Sequence, residues 1–580
     1  MAFDGIVTKA ITSELQNLSG ARIDKVFQPN KNNIILGFYL NGTNYSLNIC
    51  IDSQNCRLNL TKHLKQNPTV APSFCMLLRK HLIGLKIKNF ITFGLERIII
   101  IEFEGFDEVD DLINKKMVIE LMGKHSNIIL VDDNNVIIDS MRHIYPNSEI
   151  YRTITSHTKY IFPTTNKMDF FEIKNFEEFS SYFNDCNECD LPKLISSKFN
   201  GISQSFIEAI MANAKKINLN DIYAYINEIL DSIGNNDLQF EYYKNDYFLT
   251  KFKINNENNF SHFNLNFFID EFYYKKETSE QFKSYRDSLL KMILSTLKKY
   301  RTRLANIDKK LEECNNMDKY KLYGELITAN LYRLPNYNVK EVELENYYDN
   351  NKLLKIPLND RYTPSINAKR FFKKYNKLKN TLIVVNEQKK ETMLELNYIE
   401  SIAYELQNTN TIDDVIEIYE EISENIIFKD NNHQSKSSYK LKKSKLTRNK
   451  TASFNPIKYK IGNFTLFVGR NNVENDYLTL KFAKKSDIWF HTKDIHGSHA
   501  ILKLEDSKTR PDYNILIKCA EITAYHSKAR NSSNVPVDFC EVKYVKKPNR
   551  AKPGMVIYTN NETLNVNPSC QGDGSHGNLE

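Results

Sequence analysis

The sequence predicts a multidomain α+β protein, and three observations carry that reading. At 580 residues the chain is too long for one continuous core and points to roughly three to five compact units. Two separate stretches, one towards each end, alternate apolar and polar residues at period two, as half-buried antiparallel strands do. Between them run two heptad seams, the pattern of long paired helices.

Composition narrows the class. Apolar residues make up 41% and charged residues 26%, with a mean hydropathy of −0.50, which excludes a membrane protein and a wholly disordered one. The net charge of +8 is too small to announce a nucleic-acid binder, so the position of the cations decides. Nine cysteines are too few for a disulfide scaffold and too odd to pair completely, so a reducing compartment is expected. The start lacks the apolar run of a signal peptide, and the expected location is cytoplasmic. The Cys186–Cys189 pair lacks the second pair that structural zinc needs.

Residues 1–172 read as an α+β domain. Phe3 to about Leu18 has helical spacing, ARIDKVFQ, NIILGFYL, NYSLNICI and CRLNL form a meander, SFCMLLRKHL is a second helix, and KIKNFITF, ERIIIIEF, MVIELMG, SNIILVD and NVIIDS add strands. Residues 173–277 read as mostly helical, with Gly201 between two helical stretches, as in a helix-hairpin-helix or at an ordinary helix C-cap.

Residues 278–430 carry the seams. Leu290, Ile293, Leu297, Tyr300, Leu304, Ile307, Leu311 and Cys314 recur at three and four, and Phe371, Tyr375, Leu378, Leu382, Val385, Lys389, Thr392, Leu396, Ile399, Ala403 and Leu406 do likewise. The proline-containing segment between them suggests an antiparallel hairpin with an inserted cap; two long helices packed in a helical domain are the alternative. Residues 431–452 include SKSSYKLKKSKLTRNK, with seven Lys or Arg and no acid, a linker or a phosphate-seeking arm. Residues 453–570 read as a second α+β domain, with DYLTLKFA taken as a strand and a helix from about Asn514 to Arg530. Residues 571–580 read as a flexible tail.

No phosphate loop, dinucleotide fingerprint, HExxH or GxSxG is present. The densest polar cluster, DIWFHTKDIHGSH, gathers Trp489, His491, Lys493, Asp494, His496 and His499. Its histidines fit no regular metal-ligand spacing. Its rings and ammonium suit stacking on RNA bases and phosphate contact, while Trp489 serves equally well as a core filler. VKKPNRAKPGMV sets Lys546, Lys547, Arg550 and Lys552 on a proline-bounded loop, either an RNA contact with salt-dependent affinity or a solvated basic loop. Glu96 and Arg97 adjoin at a strand start, and Lys124 and His125 occupy the next connection.

MAFDG, NPTVAPSFCMLLRKHL, ELMGKHSNIILVD, YGELITANLY, the VGRNN loop, DIWFHTKDIHGSHAIL and VKKPNRAKPG together resemble, along nearly the whole chain, the NFACT family of bacterial RqcH proteins and eukaryotic NEMF, formerly labelled fibronectin-binding protein A. The resemblance implies an NFACT-N domain, a helix-hairpin-helix, a coiled-coil hairpin with a middle cap, and an NFACT-R domain. It implies a ribosome-associated quality control factor that binds the large subunit carrying peptidyl-tRNA and recruits alanyl-tRNA. With the small partner RqcP, such a factor supports untemplated alanine tailing of the stalled nascent chain. The protein would then be a scaffold with no cofactor and no membrane partner, the ribosome making the bond. The family's tRNA-recruiting residues fall on Asp4, Glu96 and Arg97, to which Lys124 and His125 add tRNA contacts. Trp489, His491, Lys493, Lys546, Lys547, Arg550 and Lys552 would meet RNA or the ribosome. Glu96 stands where the family has Asp, and His496 where relatives usually have Pro. Two other readings are a surface adhesin that binds fibronectin, either as its main role or as a secondary activity, and a DNA glycosylase, which lacks here the N-terminal proline nucleophile.

Overall fold

The computed structural model describes residues 3–106, 111–145, 152–183, 190–213, 218–233, 238–243, 246–250, 264–335, 337, 339–425, 454–504 and 511–570. The Cys186–Cys189 pair, the basic linker and the tail lie outside the described residues. The chain divides into two compact units, Met1–Thr278 and Ser279–Glu580. No helix among the described residues is long and apolar enough to cross a membrane.

In the first unit the helix α1 (Gly5–Leu15) precedes a meander of β1 (Arg22–Asn30), β2 (Asn33–Leu40), β3 (Thr43–Cys50) and β4 (Arg57–Leu60). Helix α2 (Ser73–Leu82) leads to β5 (Lys86–Thr92), β6 (Ile98–Phe106), β7 (Leu112–Glu120), β8 (Asn127–Asp132) and β9 (Ile137–Ser140). All nine strands join one antiparallel sheet in the order β4-β3-β2-β1-β5-β6-β7-β8-β9, so the two meanders meet between β1 and β5. The unbroken apolar run of β6 is explained by a sheet buried on both faces, because successive side chains point to opposite sides. Ile99, Ile101 and Phe103 enter the main core under α1 and α2, while Ile98 and Ile100 pack with Val118, Ile129 and Tyr160 on the other face.

Helices α3 (Phe176–Ser181), α4 (Leu191–Lys198), α5 (Gln204–Asn213) and α6 (Leu219–Ser232) follow. The reading of this region as mostly helical is corrected at QFEYY and DYFLT, which pair antiparallel as β10 (Gln239–Tyr243) and β11 (Asp246–Thr250). Aromatic-rich alternation about a short polar turn favours a hairpin there. Phe240, Tyr247 and Leu249 share one apolar core with Ile6, Ile11 and Ile207.

The second unit opens on the long helix α7 (Leu265–Asn315), which begins in the first unit, and continues through α8 (Met317–Ala329), the hairpin β12 (Glu341–Asn346) and β13 (Lys352–Pro357), α9 (Pro364–Asn408) and α10 (Ile412–Asn425). Two ion pairs fix the direction: Arg301 meets Glu400 at 2.7 Å and Asp308 meets Lys389 at 2.8 Å, so α9 descends as α7 climbs. The heptad positions face inward as the spacing predicts, with Ile293, Leu297, Ile307, Val385, Ile399 and Leu406 buried. Leu289, Ile293 and Leu297 close the base against Ile402, Leu406, Ile418 and Ile422, each full burial stabilising by about 1.5–3 kcal/mol. The β12–β13 cap packs Val342, Leu344 and Ile356 on Tyr323 and Leu326 of α8 and Ala368 of α9.

The remaining elements are β14 (Ile457–Ile461), β15 (Phe464–Val468), α11 (Asn472–Tyr477), β16 (Ile488–Thr492), β17 (Ala500–Lys503), α12 (Tyr513–Tyr525), β18 (Val535–Glu541), β19 (Val545–Lys546), β20 (Ile557–Tyr558) and β21 (Glu562–Val566). Six form an antiparallel sheet, β14-β15-β17-β16-β18-β21, with α12 on one face. DYLTLKFA is not the expected strand: it ends α11 and then forms a π-helical turn over Leu478–Phe482, closed by Ala483 N–H to the Leu478 carbonyl at 2.9 Å. The N-terminal cap overrides the alternation, since the Asn471 side chain accepts from Glu474 N–H at 2.8 Å and starts a helix before the strand-like letters begin.

Candidate nucleic-acid interface

In the first unit the sequence-selected residues converge on one end of the sheet. Asp4 is the N-cap of α1, accepting from Val7 N–H at 3.1 Å and from the Ser203 hydroxyl at 2.7 Å, and is only 5% exposed. Burial raises its carboxyl above the usual range. Its work in this fold is therefore to start a helix and to hold the loop between α4 and α5.

The next residue, Gly5, donates its N–H to the Gly201 carbonyl at 2.8 Å. A Cβ on Gly5 or on Gly201 would overlap the Leu95 carbonyl oxygen, and Gly201 also has φ of +69°. Three chain segments thus touch at backbone distance, and Glu96 and Arg97 follow directly from the contact. They lie in the turn between β5 and β6, not in the strand. Glu96 is half-buried and accepts a hydrogen bond from the Asn200 side chain; burial raises its pKa, while that bond and the Arg97 charge oppose the rise. Arg97, also half-buried, accepts at its carbonyl from Leu121 N–H at 2.9 Å.

Because Ile98 pairs with Glu120, the turn Gly123–His125 stands at the same end of the sheet as Arg97. Lys124 and His125 are exposed on it. Sequence reading missed the group that pins them: Arg142 donates to the carbonyls of Lys124 at 3.1 Å, Ser126 at 3.0 Å and Ile51 at 3.0 Å, and to Asn32 Oδ1 at 3.2 Å. It also missed the buried Glu120, which accepts from the Tyr160 hydroxyl at 2.7 Å and from Arg152 Nη1 at 3.0 Å. The result is a cationic sheet end on a stiff backbone, suited to phosphate and base contacts.

In the second unit the cluster around Trp489 divides. Trp489 is fully buried, stacked with His491 at 5.7 Å and tilted on Tyr558 at 4.7 Å, and its indole N–H has no partner. The core-filling reading is the one the packing supports; an RNA-facing indole is corrected, because the ring has no exposed surface to stack on. His491 is half-buried, and burial drops its pKa to about 4, so at neutral pH it is no cation for phosphate. His499, bonded to the Thr479 hydroxyl at 2.8 Å, falls to about 3 for the same reason. Lys493 is exposed. We expect Trp489→Phe to cost about 1–2 kcal/mol in thermal unfolding through the smaller ring and to leave RNA affinity unchanged. Weakened RNA binding at an unaltered melting temperature would return the indole to the interface.

The basic loop is also divided. Lys546 and Arg550 are exposed. Lys547 is paired with Asp476, which also accepts from Gly554 N–H at 3.1 Å. Lys552 donates to the Asn425 carbonyl at 2.6 Å and lies 3.6 Å from Glu395. Two of the four cations thus hold the loop on the hairpin base and the domain body.

The VGRNN loop has a comparable task. Arg470 binds Asp414 at 2.7 Å and Glu474 at 3.1 Å, Asn471 donates to Glu417 at 3.0 Å, and Asn472 donates to Ser401 at 3.2 Å and to Glu421 Oε1 at 3.3 Å. Glu421 also accepts from the Tyr398 hydroxyl at 2.8 Å. His496 lies 3.8 Å from Glu400, a carboxylate of α9. Glu405 and Glu421 are both buried, each with one oxygen lacking a partner. Among the described residues no group of three or more His, Cys, Asp or Glu side chains is placed to hold a metal ion.

Comparison with known proteins adds the family context. Residues 4–440 match the sequence model described as the NFACT N-terminal and middle domains, and residues 450–560 match the NFACT protein RNA binding domain. The chain is 34% identical to the Rqc2 homolog RqcH of Bacillus subtilis (strain 168) and 32% identical to that of Streptococcus suis (strain 05ZYH33), over 98% of each chain. The N-terminal structure of the fibronectin/fibrinogen-binding protein from Streptococcus suis is 28% identical, covers 47% of this chain and 99% of its own, and superposes with a TM-score of 0.41. The fibrinogen binding protein from Staphylococcus aureus gives 29%, 47%, 99% and 0.41.

Proposed function

Given that the chain belongs to the NFACT family and is an RqcH homologue carrying that family's RNA-binding domain, we propose that it acts in ribosome-associated quality control as an alanyl-tRNA recruiter. It binds obstructed large subunits that carry peptidyl-tRNA and, with an RqcP-type partner, delivers tRNA for untemplated alanine tailing that marks the stalled chain for degradation. It makes no bond itself: it raises the effective concentration of one RNA beside another, and the ribosome supplies the chemistry.

The observation that supports this most is the three-segment contact of Gly5, Leu95 and Gly201, which sets Arg97 at the same sheet end as the exposed Lys124 and His125. In this reading Arg97 contacts tRNA, Lys124 and His125 add backbone or loop contacts, and Asp4 and Glu96 hold the geometry through Ser203 and Asn200. Of the residues selected from the sequence in the second unit, Lys493, Lys546 and Arg550 are the exposed cations left for ribosomal RNA. Choice of the alanine tRNA needs base-edge or shape contacts, since phosphates carry no sequence information.

Arg97→Ala is expected to lower tRNA co-purification at least about tenfold, equivalent to about 1.4 kcal/mol, while large-subunit binding stays near wild type. Sequencing of bound RNA with quantification of ribosomal proteins reads both. Undiminished tRNA recovery from the variant removes the assignment.

A further inference from the structure

The stem of the hairpin carries a groove of about 720 Å³, lined by Ser295, Lys298, Lys299, Thr302, Arg303, Asn306, Ile307 and Lys310 of α7 with Gln388 of α9. Ser295, Lys299, Thr302, Asn306 and Lys310 recur at three and four residues, so they share one face of the helix. Four of the lining residues are cations and none is an acid. Neighbouring cations on the same stem are spent, Arg301 on Glu400 and Lys389 on Asp308. Lys298, Lys299, Arg303 and Lys310 are exposed, with no carboxylate in ion-pair distance among the described residues.

We propose that this groove is a binding site for the sugar–phosphate backbone of RNA. Lys299 and Arg303 stand about 6 Å apart along the axis, and Arg303 and Lys310 about 10 Å apart, the scale on which phosphates succeed one another along a strand. Ser295, Asn306 and Gln388 add neutral donors beside the cations, as backbone oxygens and sugar hydroxyls require, whereas the Thr302 hydroxyl is spent on the Lys298 carbonyl at 3.0 Å. An acidic protein segment fits less well, because a protein partner needs an apolar anchor and the groove offers only Ile307, itself 5% exposed. The site goes beyond the tRNA reading of Arg97: it would grip RNA of any sequence, whichever RNA the sheet end takes.

The test uses the full chain with Lys298, Lys299, Arg303 and Lys310 all changed to Gln, which keeps helix propensity close to that of Lys and Arg. A control carries Lys373→Gln, Lys377→Gln, Lys379→Gln and Lys390→Gln, exposed positions of α9 outside the groove. Affinity for a labelled RNA hairpin, and separately for poly-glutamate, is measured across a sodium chloride series, with circular dichroism confirming equal helicity. The groove variant is expected to bind the RNA more weakly, with the slope of log affinity against log salt shallower by about 3, and the control to keep the wild-type slope. An unchanged slope in the groove variant, an equal loss in the control, or loss of poly-glutamate binding with RNA binding intact overturns the proposal. Arg97→Ala runs as a separate arm: its tRNA recovery judges the sheet-end reading, and its salt slope does not bear on the groove.

Discussion

Gly201→Val is expected to destabilise the first unit by at least about 4 kcal/mol, a loss in the range reserved for broken backbone or core requirements. Two costs combine. The residue sits at φ of +69°, where a β-branched side chain is strained. The new Cβ would also lie 2.6 Å from the Leu95 Cβ and overlap the Leu95 carbonyl oxygen, and the segment that must yield carries Glu96 and Arg97. Gly84→Val is the comparison, since that glycine has φ of +93° but open space where its Cβ would go, so it carries the strain alone. Urea unfolding of both full-length variants, followed by tRNA recovery, gives the answer. If Gly201→Val costs no more than Gly84→Val, the three-segment contact does not organise this end of the sheet.

Alkaline loosening of the hairpin base is the second large effect. Glu421 is 2% exposed, and burial pushes its pKa up to about 7 against hydrogen bonds from Tyr398 and Asn472; Asp476 adds to the rise and Lys547 opposes it. Glu405 beside it is raised as well, by burial first and by the Glu421 charge second. A carboxyl raised in the fold binds its proton more tightly there than in the unfolded chain. Its contribution is therefore full below about pH 4.5, declines as pH rises to about 7, and is absent above that, a span worth about 3 kcal/mol. Glu421→Gln keeps an oxygen for Tyr398 and Asn472 without the charge. Its melting temperature should match wild type at pH 5 and exceed it at pH 8. Parallel temperature shifts in both proteins over that range would show that the pair does not titrate across it.

Legibility of the chain depended on how local the decisive interactions were. The heptad seams were readable because three-and-four spacing is a property of one helix, and Leu297 or Ile399 had no other face to occupy. The strands of the first sheet were readable from their short apolar and alternating runs, and α2 at Ser73–Leu82 from its helical spacing. DYLTLKFA misled because its alternation is genuine, yet the Asn471 cap just before it determines the backbone. The β10–β11 pair was hidden in a region whose neighbours are all helical. At the sheet end, the residue types were visible in the sequence but the contacts were not: Asp4 and Ser203 are separated by 199 positions, and Arg142 reaches Asn32 across 110. Trp489 shows the opposite limit. Its placement among polar, cationic letters left an RNA-facing loop and a core position equally open, and β16 decides it by turning Trp489 and Phe490 into two different cores.

The ion pairs Arg301–Glu400 and Asp308–Lys389 make the hairpin an adjustable ruler. Since its two helices run in opposite directions and return to one base, excising a seven-residue block from each at matched positions removes the same length from both limbs. Every such pair of cuts would draw the β12–β13 tip inward by about 10 Å with the seam still in register, converting reach along the stem into a graded variable that binding measurements could read step by step.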